Sequence, residues 1–492
     1  MKEFDVAIIG GGINGCGIAR DAAGRGLSVL LIEQGDLASG TSSYSSKMIH
    51  GGIRYLEHYD FRLVRESLHE RELLLKNAPH LVRPMRFVIP HVASMRPAWM
   101  MKIGIRLYDF LAGRSVLPKS RVLDLADDPA GAPLRASGGA GFEYSDCVAD
   151  DARLVIANAI DAQERGADIR TKTRLVSARR VGQRWELVLA EGVKRETLHA
   201  RALVNAAGPW AGSVIETIVK GAAPVNVRLV KGSHIVYPRL YTHDRAYVLQ
   251  NNDGRIIFAI PFGEKYTLIG TTDVEIAGDP GHATASAEEI QYLCRLAEHF
   301  FKTAVEPSRV VWTFAGVRPL IDDGKGSASS ATREYKIVAD GSYGEAPLLS
   351  LIGGKLTAYR AMSEDVVNKL GHWLAMRAAW TANEPLPGGD LGARGFDGLL
   401  ADLARDHAYL PAATARRIAH AYGRRVMNML GDAKKIEDLG VRLAGDLHAR
   451  ELAYLREHEW AKTADDVLFR RTKLGVGASQ IEIDAVKTAL AA

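Results

Sequence analysis

A chain of 492 residues is longer than one ordinary hydrophobic core organises, so two or three domains are expected. Apolar residues make up 47% and charged residues 25%, and no apolar run is long enough to span a bilayer, which excludes a disordered or membrane-spanning chain. The net charge of +5 is small, and the tail from Gly388 balances sixteen basic against fifteen acidic residues, so the tail has no electrostatic footprint for nucleic acid.

The first strand is expected over Phe4–Ile9, which leaves no room before it for a signal or transit peptide. A helix over Ile13–Arg25 and a buried strand over Ser28–Glu33 complete a βαβ unit. Ser39–Gly52 reads as a Gly/Ser-rich loop, and Asp60–Asn77 has helical periodicity. Pro118–Gly141, rich in Pro, Gly and Asp, reads as a surface connection. A helix over Asp151–Arg165 is followed by strands over Asp168–Arg180, Trp185–Leu189 and Ala202–Ala206, the last ending in the turn Ala207-Gly208-Pro209. Val227–Leu320 is rich in β-formers, with short strands at His234–Tyr237, Ile256–Ile260 and Thr267–Thr271, and reads as an inserted antiparallel sheet. Leu348–Ile352 returns as a buried strand before Gly353-Gly354 and a helix from Lys355. Pro385–Asp390 reads as a linker, and the remainder has a helical pattern. The three cysteines, Cys16, Cys147 and Cys294, are too few and too scattered for a disulfide framework or a metal cluster; Cys16 reads as packing, and a reducing cytoplasm fits.

These elements predict an α/β fold: a Rossmann-type cofactor domain (1–80, 142–225 and 345–385), an inserted antiparallel-sheet substrate or cap domain (81–141 and 226–344), and a C-terminal helical domain (386–492). Gly10-x-Gly12-x-x-Gly15 falls between strand and helix. Gly10 allows the tight turn, Gly12 lets the backbone approach a pyrophosphate, and Gly15 lets helix and strand pack closely. The helix start, Ile13 and Asn14, offers N–H groups and a positive dipole end to phosphate. Glu33, followed by Gln34, ends the second strand, where a carboxylate can accept ribose hydroxyls. The glycine pattern alone does not separate FAD from NAD. The strand-turn Leu203–Gly208 and the late return to Gly353-Gly354 favour FAD, because the helix start behind those glycines can stabilise the anion of reduced flavin.

Several motifs carry a resemblance to a known family. Gly10–Gly26 (GGGINGCGIARDAAGRG), Lys47–Leu56 (KMIHGGIRYL), Gly232-Ser233-His234, Ala315–Leu320 (AGVRPL) and Ile352–Arg360 (IGGKLTAYR) resemble, in order and spacing, the FAD-dependent glycerol-3-phosphate dehydrogenases. The resemblance covers about the first 385 residues, and Ala358 and Ser363 exchange small residue types within the family's second signature. It implies oxidation of sn-glycerol 3-phosphate to dihydroxyacetone phosphate, transfer of electrons through non-covalent FAD to a membrane quinone, and peripheral association with the cytoplasmic face of the bacterial cell membrane. It leaves room for a homodimer.

The residues can be read against that chemistry directly. A dianionic phosphate needs cations, and Arg54, Arg318 and Lys355 each adjoin glycine or proline in loops expected at the cofactor. His234 is the natural base, its ordinary pKa lying near working pH. Tyr55 and Thr271 supply hydroxyl contacts. The plainer reading makes the cations solvated and His234 a satisfied sheet histidine. Thr41, Ser42, Ser43, Lys47, His50, Gly51 and Gly52 are assigned to the cofactor, as are Val176, Ala206, Ala207, Gly208, Trp210, Leu356 and Thr357. No metal ligands are expected.

The segment Met85–Arg121 carries seven basic residues and one acid, Asp109, a net +6. Within it Trp99, Met100, Ile103, Leu107, Phe110 and Leu111 fall on one helical face, with Lys102 and Arg106 toward the other, as in a helix lying on anionic lipid. A core helix is the alternative. A second candidate follows Lys355, with Trp373, Arg377 and Trp380 as its best-placed residues. The rival functions are an H2O2-forming oxidase of glycerol phosphate or an amine on the same fold, and an RNA-binding flavoprotein, against which the Trp/Met-rich character of the basic segment counts.

Overall fold

The computed structural model describes residues 2–219, 221–251, 255–322, 334–341 and 344–491, the side chain of His58 excepted. The first sheet is centred on Glu3–Ile9, flanked in parallel by Val29–Ile32 on one side and by the end of Lys194–Asn205 on the other. Asp168–Arg170 extends it beyond Val29–Ile32, and Leu348–Gly353 beyond Asn205, both parallel. Such strands are covered on both faces, which is why they read as unbroken apolar runs.

Alternate residues serve different layers. Val6, Ile8, Val29, Leu31, Val204 and Leu349 pack against the helices Ile13–Gly24, Asp151–Glu164 and Tyr359–Leu370. Ala7, Ile9, Leu30, Ile32, Leu203 and Leu348 pack against the hairpin Arg174–Val181/Arg184–Glu191 and the helix Ala211–Thr217. The small Gly17 sits against Ser363 and Tyr359, and Ser363 donates to the Tyr359 carbonyl at 2.7 Å, so the exchanged small residue still lets the first and last of these helices touch.

Among the described residues the second sheet has ten strands and is larger than the expected insertion. Its order runs Val274–Glu275, Val227–Pro238, Tyr266–Gly270, Ile256–Phe262, Ala246–Gln250, Val82–Pro90, Ala140–Ala149 and Met48–Ile49, with Trp312–Ile321 on Val227–Pro238 and Arg121–Asp124 on Ala140–Ala149. One pair, Ala246–Gln250 with Val82–Pro90, is parallel, so the sheet is not purely antiparallel. Ala140–Ala149 crosses the boundary expected at 141/142 and belongs to this sheet, while Tyr335–Asp340, expected in the insertion, pairs with Leu348–Gly353 in the first sheet. Pro118–Gly141 is not a surface connection throughout: it supplies the Arg121–Asp124 strand and buries Leu123, Leu125, Ala130 and Leu134. Helix Ala287–Phe300 covers one face of the sheet through Leu293, Cys294 and Ala297, and helix Ala98–Leu111 covers part of the other through Ile105 and Tyr108.

The C-terminal region builds its own core from Gly395–Asp406, Ala412–Tyr422, Ala449–His458 and Gln480–Ala491, together with a two-stranded ribbon, Arg442–Ala444 with Leu447–His448. Pro385–Asp390 is not a loose linker, since Leu386 N–H donates to Asn77 and Gly388 accepts from Arg424 N–H. Much of the second lipid-facing candidate is taken up by packing. Its helix ends at Leu370; Tyr359, Val366, Val367, Leu370 and Leu374 are buried. Trp380 then packs on Gly24 under the guanidinium groups of Arg20 and Arg165, its indole N–H donating to Asp21 O at 3.1 Å, and Arg377 N–H donates to Arg25 O.

Candidate active site

The two sheets meet around a cavity of about 1040 Å³. On the first sheet, Gly10 has φ +107°, and a Cβ there would approach Ala206 O within 2.6 Å, so only glycine fits this turn. A Cβ at Gly15 would overlap the Gly10 carbonyl, which places Gly15 beneath the turn and outside the lining. Gly12 caps the helix in extended conformation, Ile13 N–H donates to Ser42 Oγ at 2.9 Å, and Asn14 Oδ1 is buried with no hydrogen-bond partner among the described residues. Glu33 closes this end. Its carboxylate accepts from Gly11 N–H at 2.7 Å and Gly35 N–H at 2.5 Å, and burial raises its pKa above the ordinary range against those two bonds. Gln34, Thr41, Ser42, Ala206, Ala207, Gly208 and Trp210 line the same end, and Thr41 Oγ1 ties the loop to Val317 O at 2.6 Å.

The other wall is made of side chains. His234 and Phe314 are register neighbours on adjacent strands, and their rings stack at 4.7 Å with 16° between planes. His234 is buried, Nε2 lies 2.9 Å from Ser46 Oγ, and Nδ1 has no hydrogen-bond partner among the described residues. Burial first, then the charges of Arg318 and Lys47, hold its pKa well below the ordinary value, so the ring is neutral at working pH. Arg318 ion-pairs with Asp273 through Nη1 and donates to Thr271 Oγ1 at 3.1 Å through Nη2. A Cβ on Gly232 would collide with Arg318 and Thr271, which explains glycine two residues before His234. Lys355 Nζ lies 3.8 Å from the centre of the Tyr55 ring, and Arg54 lies beside Tyr55 in the short 3-10 segment Ile53–His58. Gly353 and Gly354, at φ +76° and +91°, turn the returning strand so that Lys355, Leu356 and Thr357 reach the cavity, and Thr357 Oγ1 accepts from His50 N–H at 3.0 Å. Arg54, Tyr55, His50, Gly52, Thr271, Gly353 and Gly354 all line the cavity.

The sequence profile of the FAD dependent oxidoreductases matches residues 5–360, and that of the C-terminal domain of alpha-glycerophosphate oxidase matches residues 379–492. Among curated relatives, a glycerol-3-phosphate dehydrogenase of Pseudomonas aeruginosa is 51% identical over 96% of this chain and 92% of its own length. The aerobic glycerol-3-phosphate dehydrogenase of Escherichia coli is 47% identical over 97% and 95%, and a D-erythritol 1-phosphate dehydrogenase of Brucella abortus is 47% identical over 96% and 94%. The glycerol-3-phosphate dehydrogenase of Bacillus halodurans, solved with FAD, superposes with a TM-score of 0.77 over 100% of this chain and 90% of that one, at 28% identity. The chain belongs to the FAD-dependent glycerol-3-phosphate dehydrogenase family. Its cofactor is FAD, and the glycine turn, the orphaned Asn14 oxygen and the Glu33 carboxylate fit that group.

Four of the expected cofactor residues besides Gly15 stand elsewhere. Lys47 is withdrawn into the protein: Nζ donates to Ser43 O and to both oxygens of buried Asp151 at 2.9 Å, and burial lowers its pKa. Ser43 is buried behind the loop. Gly51 packs against Leu68 and Tyr108. Val176 stands outside the lining, which takes Thr173, Arg174 and Leu175 instead, and it falls where the strand pairing is irregular, between Leu175 and Ser177. Two residues not singled out from the sequence complete the site. Ser46 holds the His234 ring and Asp273 holds Arg318; their only sequence signal is position, directly before KMIHGG and two residues after the Thr267–Thr271 strand.

Proposed function

We propose that this protein oxidises sn-glycerol 3-phosphate to dihydroxyacetone phosphate and passes the electrons to a membrane quinone. One observation carries the reading: Arg54, Arg318, Lys355 and His234 line the same cavity as the Gly10–Gly15 turn. When bound, FAD supplies the hydride acceptor. The guanidinium groups and the ammonium hold the phosphate dianion, Thr271 and Tyr55 contact the polyol, and neutral His234 takes the hydroxyl proton at the nitrogen facing Ser46. The first sheet with its helices is the cofactor domain and the ten-stranded sheet the substrate domain. The Brucella relative favours a second reading, a longer polyol phosphate held in the same way.

The deciding experiment is anaerobic mixing of the yellow protein with glycerol 3-phosphate, D-erythritol 1-phosphate, glycerol or glycine. Bleaching by glycerol 3-phosphate at the lowest concentration is expected. Preference for erythritol phosphate moves the assignment to the second reading, and bleaching by glycine alone ends both.

No helix among the described residues is long and apolar enough to cross a membrane. Helix Ala98–Leu111 instead exposes Trp99 (64%), Ile103 (57%) and Phe110 (79%), with Lys102 and Arg106 also exposed, while Met100 and Leu107 are half-buried, Ala98, Met101 and Leu111 pack against the core, and Ile105 and Tyr108 are buried in it. That face supports docking on anionic lipid at the cytoplasmic side of the cell membrane. Sedimentation with anionic liposomes is expected, weakened by salt and abolished in a W99S/K102E/R106E variant that keeps turnover with a soluble dye. If that variant stays bound with full quinone activity, the docking face lies elsewhere.

A further inference from the structure

The C-terminal domain sends one short turn to both walls of the cavity. Asp466–Arg471 is wound as a π-helix, and Thr472 N–H closes it on Val467 O at 3.0 Å. Single π turns inside helical segments are frequent at functional sites, because the extra residue redirects neighbouring side chains. Here the redirection is visible in what the neighbours touch. Arg470 Nε donates to Asp36 at 2.6 Å, and Arg471 Nη2 reaches the other Asp36 oxygen at 2.8 Å. Asp36 is 2% exposed and stands at the base of the loop whose residues Gln34, Gly35, Ser39, Gly40, Thr41 and Ser42 line the cofactor end. Without its arginines that carboxylate would be an uncompensated buried charge, relieved by taking up a proton or by movement of the loop toward water, and either way the grip on the loop is lost.

Phe469 turns the other way. Its ring stacks on Trp312 at 5.4 Å, Trp312 meets Phe314 at 4.9 Å, and Phe314 stacks on His234 at 4.7 Å. The absent Cβ of Gly475 leaves room for the Phe469 ring. With one polar tether at Ser46 and none at Nδ1 among the described residues, His234 takes its ring plane from this stack.

We propose that the Asp466–Arg471 turn is a keystone that fixes the two walls relative to each other, Arg471 positioning the FAD loop and Phe469 positioning His234 through Trp312 and Phe314. The Phe469 arm rests on His234 being the base; the Arg471 arm rests on FAD binding alone.

The test separates the arms. FAD release from diluted holoenzyme, followed by flavin fluorescence, should show at least a 10-fold higher Kd in Arg471→Met, an intermediate value in Arg471→Lys, and a value within 2-fold of wild type in Phe469→Ala. Anaerobic flavin reduction should show the reverse: wild-type rate within 2-fold in Arg471→Met at saturating FAD, and at least a 5-fold lower limiting rate at unchanged KM in Phe469→Ala, restored by Phe469→Trp. If Arg471→Met fails to fold, Arg471→Lys, which keeps the charge but not the two-pronged grip on Asp36, takes its place, with a raised Kd expected. Unchanged FAD affinity in the arginine variants, or both readouts moving together in both sets, overturns the proposal. The FAD arm needs no substrate, so it fails or stands apart from the glycerol phosphate reading; a His234→Ala variant with unimpaired flavin reduction would overturn the Phe469 arm through the base assignment.

Discussion

The two walls of the cavity are made of different material. The cofactor wall is chiefly backbone: a left-handed glycine, a helix start and a strand end, all inside the first 33 residues. The substrate wall is chiefly side chain. Arg54, His234, Thr271, Arg318 and Lys355 come from five separate stretches that line one cavity; strand register gathers His234, Thr271 and Arg318, and a 3-10 segment and a glycine turn bring Arg54 and Lys355. A site made of backbone tolerates little at a few glycines and much elsewhere. A site made of side chains can lose any one member and keep its shape. Damage to the first wall should therefore remove the cofactor and all activity, and damage to the second should leave a yellow protein that turns over slowly.

The largest effect expected is at Gly12. A Cβ there would lie 3.1 Å from Ser42 Oγ, and a branched side chain would fill the space at the helix start. Gly12→Val should yield colourless protein with no turnover, checked by absorbance and by FAD release on denaturation. A yellow, active variant would break the contrast at its root.

His234→Ala comes next. Its flavin should stay bound, while the limiting rate of anaerobic flavin reduction falls by about 10²–10⁴-fold, the usual worth of a general base. If reduction keeps the wild-type rate across pH, the base is another group.

Arg318→Ala should cost roughly 2–4 kcal/mol in kcat/KM, largely through KM, because it removes a phosphate cation and leaves Asp273 without that partner. It also carries a pH signature. Arg318 is one of the charges that lower the His234 pKa. Removing it lets the ring take a proton more readily, so the acid limb of kcat/KM should move to higher pH. A limb that stays in place, or moves to lower pH, would separate Arg318 from the base.

The contrast between the walls also explains what was readable in advance. Gly10, Gly12, Gly15 and Glu33 are legible because a local backbone conformation dictates residue type at fixed spacing. Lys47 reads as a cofactor residue from its motif, but its partner, Asp151, lies 104 residues away and holds it inward, a pairing that no local pattern reveals. Ser46 and Asp273 hold partners that strand register places beside them, so nothing in their neighbourhood marks them. The two tryptophan-bearing segments make the same point. Both read as amphipathic, yet Trp99 faces out while Trp380 lies beneath Arg20 and Arg165, whose positions depend on two other helices. Periodicity shows that a face is apolar; only the packing shows what covers it.

The smallest expected effect tests how finely the substrate wall is tuned. Thr271 Oγ1 accepts from Arg318 at 3.1 Å and donates to the Thr272 carbonyl at 3.1 Å, so it holds the guanidinium in place as well as offering its own hydroxyl. Thr271→Val keeps the shape and removes both bonds. Losing one such contact is worth about 1 kcal/mol, or about 5-fold, and the loss should appear in KM for glycerol 3-phosphate with kcat nearly unchanged. In an Arg318→Ala background the same substitution should add less, because the bond it breaks is already gone, and a double-mutant cycle with coupling near 0.5–1 kcal/mol is expected. Full additivity would mean that Thr271 acts on the substrate alone and that the guanidinium is held by Asp273 without it.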